Sequence, residues 1–420
     1  MLALPSAGVR ISVQYTICGI FLGNVVAAAI IAVGENRDLF SWVSGFLLER
    51  GFVMEAALVR QLRYFVMSAL AVWSSFSSAY GKEAGQQEQP KPAAVQRTVV
   101  GHLQTEVPKL LARHHVPGLS MILIRNRKRV WSHAFGRKRN DREDPVTEQT
   151  VFEAASMSKP LFAYAVLKLV EQGVLDLDRP LDSYLPEPYL PGQPDAAKIT
   201  ARMVLTHTTG FPNWRREKPL VVLFQPGKKY GYSGEGFLYL QRVVEHLVDQ
   251  DLESWVRAQL LVPLKMSRSS YVWQKKLADD FAGGHDKDGK FKQDRRFYSQ
   301  ANSAYTLYTT PQDYGMFLLE MMRPDHERPY TLKPAMRLNM LTDQDAPGSY
   351  GLGWALSDEF VFHSGSNGTG FRCYSRFHKT SGDGLVVMTN GVNGAAVWKA
   401  VVQIIDAEEK VLEDAPGSDD

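Results

Sequence analysis

The chain has 420 residues, of which 45% are hydrophobic and 22% charged, and its formal net charge is +3. It is long enough to hold a sizeable core and one or two domains, and its composition is that of an ordinary globular protein. A net charge this small creates no global field that would favour nucleic acid as a partner.

Several patterns with known chemistry are missing from the sequence. There is no zinc-type Cys/His spacing, no H-E-x-x-H, no Walker loop and no G-x-G-x-x-G after a strand. The G-x-S-x-G elbow is also missing, which argues against an α/β-hydrolase. The two cysteines, Cys18 and Cys373, are not expected to form a structural disulfide. We therefore expect no metal and no cofactor.

The first 80 residues form a hydrophobic N-terminal region. Residues 11–33 are apolar almost throughout, and this stretch is long enough to span a bilayer. A second apolar stretch covers residues 64–76. From Met54 onward, a short basic region, the second apolar stretch and the small residues 77–79 follow one another, which is the order typical of a secretory signal peptide.

Two interpretations of this region remain open. One is a signal peptide from about Met54, preceded by an over-extended start, and the other is a membrane anchor of one or two spans. Arg60 and Arg63 would stay on the cytoplasmic side in both cases. The order of the segments favours the signal peptide, and either interpretation predicts that the rest of the chain is exported, periplasmic or membrane-anchored and facing outward.

A polar segment that contains Pro and Gly, residues 81–94, is predicted to be a linker. The folded domain is predicted over residues 95–415. It opens with a helix over 99–113, followed by strands over 119–124 and 130–136 that form a hairpin.

The middle of this domain, about 160–340, is predicted to be a helical subdomain, because its apolar residues recur at helical spacing. The predicted helices cover residues 156–170, 200–205, 235–248, 252–261 and 310–322. The last of them begins at Thr310-Pro311, with Thr as the cap and Pro at the first helical position.

The C-terminal part changes to strands. They are predicted over residues 354–356, 360–363, 370–377 and 384–389, before a last amphipathic helix over 395–412. Strands therefore lie at both ends of the domain and helices lie between them. This order predicts an α+β fold, in which an antiparallel sheet with flanking N- and C-terminal helices carries an inserted all-helical subdomain.

Ser156 and Lys159 form an S-x-x-K pattern at the start of a predicted helix. A spacing of three places both side chains on one face of the first helical turn. The amine can accept the hydroxyl proton and the helix N-terminus favours negative charge, so Ser156 is a candidate nucleophile. The pattern is weak on its own, because an N-cap serine beside a solvated lysine has the same sequence.

Two further segments supply what a nucleophile needs. Tyr232 is a candidate base, because a phenol beside Lys159 could titrate low enough to accept a proton. His363, Ser364 and Gly365 end a predicted strand, whose edge can pair with an extended substrate and supply a backbone N–H donor. The alternatives are a partly buried tyrosine in a turn and an ordinary edge strand with its hairpin.

These segments carry a family resemblance. In chain order they are S-M-S-K at 156–159, L-D-L-D-R-P at 175–180, L-T-H-T-T-G at 205–210, Y-S-G at 232–234 and H-S-G at 363–365. Their order and spacing resemble those of the beta-lactamase-related serine hydrolases, the group of class C beta-lactamases, DD-peptidases and family VIII carboxylesterases. The resemblance covers about residues 99–412.

Three of these segments are the boxes of the family's active site: S-M-S-K at 156–159 is the first, Y-S-G at 232–234 the second and H-S-G at 363–365 the third. The resemblance implies roles for the residues of the first two boxes. Ser156 would be the acylated nucleophile and Lys159 its proton partner. Tyr232 would share the role of general base and later activate the deacylating water. His207, which lies in a capping-type turn, would stabilise the helical subdomain rather than take part in the chemistry.

The third box would line the cleft. His363, Ser364 and Gly365 would stand where the family has Lys-Thr-Gly or His-x-Gly. The backbone N–H groups of Ser156 and of Ser366, the residue after that box, would form the oxyanion hole.

Two residues depart from the family pattern. Gly234 replaces the Asn of Tyr-x-Asn, whose amide helps to hold the substrate's amide carbonyl and the lysine. His363 replaces the Lys of Lys-Thr-Gly, and a largely neutral imidazole anchors a carboxylate less well than an ammonium does. Both changes favour an ester, a small amide or a peptide over a penicillin.

The sequence therefore predicts a serine hydrolase that forms an acyl-enzyme on Ser156 and acts on an ester, amide or D-amino-acid peptide bond. Its partner would be a small-molecule ester, peptide or lactam, with membrane association only through the N-terminus. The alternatives are a beta-lactamase and a weakly or non-hydrolytic penicillin-binding-like module that holds a peptide. Gly234 and His363 would favour the binding module, since they remove two groups that hold substrate.

Overall fold

The computed structural model describes residues 92–293, 297–324 and 330–413. The hydrophobic N-terminal region and most of the predicted linker lie outside the described residues, so the signal peptide and export stay predictions. Within the described ranges, no helix combines the length and the apolar character that crossing a membrane requires.

The helices and strands follow the predicted order along the chain. The helices are α1 (Pro92–Arg113), α2 (Ser158–Glu171), α3 (Ala201–Leu205), α4 (Gly234–Val248), α5 (Leu252–Val256), α6 (Pro311–Met321), α7 (Pro334–Leu341) and α8 (Gly394–Glu413). The strands are β1 (Gly118–Arg125), β2 (Lys128–Arg139), β3 (Asp144–Pro145), β4 (Phe152–Glu153), β5 (Tyr308–Thr309), β6 (Ala355–Leu356), β7 (Phe360–Ser366), β8 (Arg372–His378) and β9 (Gly384–Thr389).

Seven strands form one antiparallel sheet in the order β3-β2-β1-β9-β8-β7-β6. Strand β1, near the start of the domain, pairs with β9, near its end, and this pairing joins the two ends of the domain in the middle of the sheet. The predicted α+β fold with an antiparallel sheet is therefore confirmed.

Both faces of the sheet are covered. Along β1, Met121 and Leu123 pack into a core with helices α1 and α8, whereas the alternating residues Ile122 and Ile124 pack into the larger core with the helices of the middle segment. This alternation is the period of two that an extended strand imposes. It explains why β1 reads as a continuous apolar run rather than as alternating apolar and polar residues.

The segment between β3 and β6 contains helices α2 to α7 and the short ribbon of β4 and β5. Thr310 caps α6 as predicted, since its side chain accepts a hydrogen bond from the Asp313 N–H and Pro311 follows at the first position.

The differences from the prediction include two helix boundaries and one additional helix. Helix α1 begins at Pro92, inside the predicted linker, because proline is tolerated in the first turn of a helix. Helix α5 ends at Val256 and continues as a π-helical turn, Arg257–Leu261. Helix α7 was not predicted, although Pro334 stands at its first turn.

Candidate active site

Ser156 lies in a sharp connection between β4 and α2. The residue before it, Ala155, has a φ of 49°, in the left-handed region that is costly for any residue with a Cβ. The Ser158 hydroxyl donates to the Ala155 carbonyl at 2.6 Å and accepts the Leu307 N–H at 3.0 Å, which ties the turn to the chain leading into β5. The turn Ala155–Met157 is a 3₁₀-helix.

Ser156 is not the N-cap of α2. That position belongs to Met157, and no side chain caps the helix there. The Ser156 hydroxyl instead accepts a hydrogen bond from Lys159 Nζ at 3.3 Å. The alternative interpretation of the S-x-x-K pattern, a capping serine with a solvated lysine, is therefore wrong.

Lys159 is completely buried. Its Nζ donates to Ser156 Oγ and to the Ala304 carbonyl at 2.9 Å. Burial lowers the pKa of Lys159 to about 7, because the charged amine has lost its water. A large fraction of the amine is consequently neutral near neutral pH and able to accept a proton.

Tyr232 lies beside the same amine, with Lys159 Nζ 4.7 Å from the centre of its ring. Burial raises the pKa of the Tyr232 phenol, and its hydrogen bond with Ser156 offsets only part of that increase. The expectation that this phenol titrates low is wrong, because desolvation outweighs the hydrogen bond. The Tyr232 phenol is therefore protonated, whereas a large fraction of the Lys159 amine is neutral.

His207 packs against Tyr232 and hydrogen-bonds the next residue, Ser233. It is completely buried, its Nδ1 accepts the Ser233 N–H at 3.1 Å, and its ring lies 4.2 Å from the Tyr232 ring. Burial and the nearby Lys159 hold the pKa of His207 well below its usual value, so the ring is neutral. These contacts agree with a supporting role, and they place that support at the loop that carries Tyr232.

The third box lies on β7, whose residues alternate between two faces. His363 is buried, and its Nδ1 donates to the Ser364 carbonyl at 2.9 Å. Burial and the Lys159 charge lower the pKa of His363 to about 3, so the imidazole is neutral, as the sequence suggested. Ser364 and Ser366 are exposed on the other face of the strand.

Gly365 allows β7 to lie against the turn Ala155–Met157, which contains Ser156. A Cβ at this position would lie 2.0 Å from the Ala154 carbonyl oxygen, so only glycine allows this approach. The neighbouring strand β6 pairs with Val361 and Phe362 and does not extend to His363. The edge of β7 from His363 onward therefore faces Ser156 and its turn.

Ser156 opens into a cleft of about 810 Å³. The residues that line it are Ser156, Asn213, Trp214, Arg215, Arg216, Glu235, Leu238, Tyr298, Asn302, Tyr305, Ser366, Asn367, Gly368 and Arg372. Residues 211–224 and 275–299 contribute five of these residues. Asn302, Tyr305 and Arg372 were not anticipated, because only the tertiary fold brings them to the cleft.

Glu153 is a second feature that the sequence analysis missed. Its buried carboxylate oxygen Oε2 accepts hydrogen bonds from Asn367 Nδ2 at 2.6 Å, Thr369 Oγ1 at 2.7 Å and the Tyr298 hydroxyl at 3.3 Å. These bonds fasten the turn after β7 to the strand that leads to Ser156. A carboxylate inside the apolar run around Phe152 was the available signal, since a buried charge needs partners.

The described residues contain no group of three or more His, Cys, Asp or Glu side chains placed to hold a metal ion. Cys373 is buried on β8, where its Sγ donates to the Glu153 carbonyl at 3.5 Å. Burial raises the pKa of Cys373 to about 12, so this thiol is a poor nucleophile.

Residues 103–405 match the beta-lactamase family. The chain belongs to the beta-lactamase family. The predicted resemblance is thereby confirmed.

Curated relatives of this family member are distant. Protein flp of Staphylococcus aureus strain MRSA252 is 21% identical over 328 residues, which are 71% of this chain and 64% of flp. Penicillin-binding protein 4* of Bacillus subtilis strain 168 is 25% identical over 211 residues, 44% of this chain and 45% of the relative. The chain thus spans less than two thirds of the length of these relatives.

Among solved structures, D-alanine carboxypeptidase AmpC from Burkholderia cenocepacia is similar, with a TM-score of 0.64 and 22% identity. The match covers 75% of this chain and 99% of the carboxypeptidase. At this identity the likeness supports the fold of the beta-lactamase family and leaves the substrate open.

Proposed function

We propose that the protein is a serine hydrolase that forms an acyl-enzyme on Ser156 and cleaves an ester, amide or D-amino-acid peptide bond. One observation carries the proposal. The buried Lys159 amine, with a pKa lowered to about 7, lies 3.3 Å from the Ser156 hydroxyl. A hydroxyl next to a neutral, desolvated amine is an activated nucleophile.

The acylation step follows from this contact. Lys159 Nζ takes the proton of the Ser156 hydroxyl while Oγ bonds to the carbonyl carbon, and the carbonyl electron pair moves onto its oxygen. The tetrahedral intermediate collapses when the bond to the alcohol or amine breaks. That leaving group takes the proton from the Lys159 ammonium, either directly or through Tyr232, which accepts it on oxygen while donating its own hydrogen.

Deacylation reverses these proton movements. A water attacks the acyl carbon and gives its proton to Lys159 or, through Tyr232, to the same amine. The bond between the acyl carbon and Ser156 Oγ then breaks, Oγ takes that proton from the Lys159 ammonium, and the carboxylic acid is released. The backbone N–H groups of Ser156 and Ser366 are the proposed oxyanion donors, and the close approach of Gly365 to Ala154 supports this pairing.

The neutral state of His363 favours certain classes of substrate bond. His363 is neutral and its Nδ1–H donates to the Ser364 carbonyl, so the buried Nε2 is an unprotonated nitrogen rather than part of a cation. Such a nitrogen accepts hydrogen bonds and does not attract a carboxylate. We therefore favour an ester, small amide or peptide over a penicillin, although the Burkholderia neighbour is named a D-alanine carboxypeptidase.

Turnover by the wild type and by Ser156→Ala tests the proposal. The substrate panel comprises p-nitrophenyl esters, a D-alanyl-D-alanine peptide and the chromogenic lactam nitrocefin. We expect turnover of at least one substrate and a loss of about 10⁴-fold or more in Ser156→Ala, because the nucleophile is gone. Ser254→Ala, on the exposed part of α5, is the matched control and keeps full activity.

Undiminished turnover in Ser156→Ala would contradict the proposal. Acylation without release, seen as a stable adduct on Ser156 with no turnover of any panel member, would instead favour the penicillin-binding-like module. Preferred turnover of nitrocefin would identify a beta-lactamase.

A further inference from the structure

Trp214 covers the backbone of Gly234 at the N-terminus of α4. A Cβ at position 234 would lie 2.4 Å from Cη2 and 2.5 Å from Cζ2 of the Trp214 indole. Real Cβ atoms do not approach other heavy atoms this closely, so the indole occupies the space of any side chain at position 234. The glycine and the tryptophan are a matched pair, in which the absence of one side chain makes room for the other.

The loop that carries Trp214 is tied to the start of α4. The Asn213 carbonyl accepts the N–H groups of Gly234 at 3.0 Å and Glu235 at 3.2 Å. The Arg215 N–H donates to Glu235 Oε1 at 3.0 Å. Trp214 is thus fixed by backbone contacts on both sides, and its ring position is set by the scaffold.

One side of the fixed indole remains open to the cleft. Trp214 is 36% exposed, and its ring meets Tyr305 edge to face, with the ring centres 5.3 Å apart. Tyr305 in turn meets Tyr298 with its ring centre 5.3 Å away. These three rings form a continuous aromatic wall in the cleft into which Ser156 opens.

An aromatic wall of this kind binds flat or bulky apolar groups, because it buries their surface and offers ring faces for stacking. We propose that Trp214, seated on Gly234, is a specificity-determining residue, and that the substrate carries an aromatic or large apolar substituent that packs on this wall. The inference rests on the proposed function, since it concerns the substrate of Ser156.

The experiment measures substrate preference rather than activity. One pair of esters varies the acyl group, p-nitrophenyl phenylacetate against p-nitrophenyl acetate, and a second pair varies the leaving group, benzyl acetate against ethyl acetate. In at least one pair, the wild type prefers the aromatic member by kcat/KM, and Trp214→Ala lowers that preference about tenfold. Trp214→Phe, which keeps a ring, loses less.

Gly234→Asn supplies an independent arm, because its side chain must displace the indole. It lowers the preference for the aromatic ester. The double variant Trp214→Ala/Gly234→Asn shows the same decrease as Trp214→Ala alone, because both changes remove the same contact between substrate and the Trp214 ring. Tyr330→Ala is the control, because this tyrosine is 77% exposed and outside the cleft lining. It leaves the preference unchanged.

The inference is overturned if Trp214→Ala and Gly234→Asn are folded and active but keep the wild-type preference in both ester pairs. It is also overturned if the wild type prefers the small member of each pair. Failure of the proposed function has a different signature, because Ser156→Ala would then retain the wild-type turnover.

Discussion

Lys159 is the ionisable group on which the proposed chemistry of the cleft depends. Its pKa is lowered to about 7 by burial, whereas the pKa of Tyr232 is raised by the same cause. Desolvation always disfavours the charged form, so it turns the amine into a base and keeps the phenol protonated. The two groups thereby acquire different proton-transfer roles within one small volume.

The pH dependence of turnover tests this division. The base must be unprotonated, so kcat/KM for an ester is lost as pH falls through about 7 and levels off above it. Tyr232→Phe lowers the rate by about 10²-fold, the range for one positioned proton-transfer group. Its rate still falls below about pH 7, on the acidic limb of the profile, because Lys159 still sets that limb. Rate profiles from about pH 5 to 9, recorded for the wild type and for Tyr232→Phe, test this. A limb that disappears in Tyr232→Phe would assign the base to the phenol instead.

Sequence motifs predicted that one site would contain Ser156, Lys159, Tyr232 and His363. They also predicted that the His363 imidazole would be neutral. The direction of the Tyr232 pKa shift was not predictable, because it depends on how completely the fold removes water from the phenol. The sequence also did not predict that Trp214 packs on Gly234 or that Glu153 binds the turn after β7. A glycine at position 234 was a signal of a close approach, but the sequence does not say which side chain fills the space.

At the scale of elements, the site depends on how closely β7 lies against the turn before α2. Gly365→Ala would place a Cβ 2.0 Å from the Ala154 carbonyl oxygen and push the strand away from Ser156. We expect kcat to fall about 10²-fold, the effect of a displacement of about 1 Å in a catalytic site. Steady-state kinetics of the purified variant measures this loss.

Gly101→Ala is the matched control for that prediction. Gly101 lies on helix α1, outside the cleft lining, and a Cβ there would meet no atom within 4 Å. The variant keeps kcat within about twofold, as expected for a substitution that disturbs no contact. Equal activity of the Gly365 and Gly101 variants would show that the approach of β7 does not position the chemistry.

Most elements were predictable because their apolar residues repeat with the period of a helix or a strand. The strands β4 and β5 escaped prediction because two residues carry no periodicity, and their pairing of Phe152 with Thr309 joins distant parts of the chain. The π-helical turn after Val256 was likewise invisible, since helical spacing continues through it.

At the scale of the whole described domain, the sheet separates two cores. Helices α1 and α8 cover one face, and the helices that build the cleft cover the other. A loss of packing under α1 should therefore lower the stability of the fold without changing the arrangement around Ser156.

Leu103→Ala tests this separation, because Leu103 lies on α1 and is completely buried in the core between this helix, α8 and the sheet. We expect the free energy of unfolding to fall by about 2–5 kcal/mol, the cost of the lost burial and the cavity. Denaturant unfolding measures the loss, and kcat/KM below the transition stays within about twofold of the wild type. The exposed neighbour Gln104→Ala changes stability by only about 0.5 kcal/mol. Parallel loss of activity in folded Leu103→Ala would contradict independence of the two faces.

The central claim is that Ser156 becomes covalently acylated, and labelling with a fluorophosphonate tests it most directly. Intact-mass and peptide analysis of the labelled protein should show one adduct per chain, on Ser156, with ester turnover lost in proportion to labelling. Ser156→Ala should take up no label. Labelling of a different residue, or turnover that persists after complete labelling of Ser156, would contradict the account.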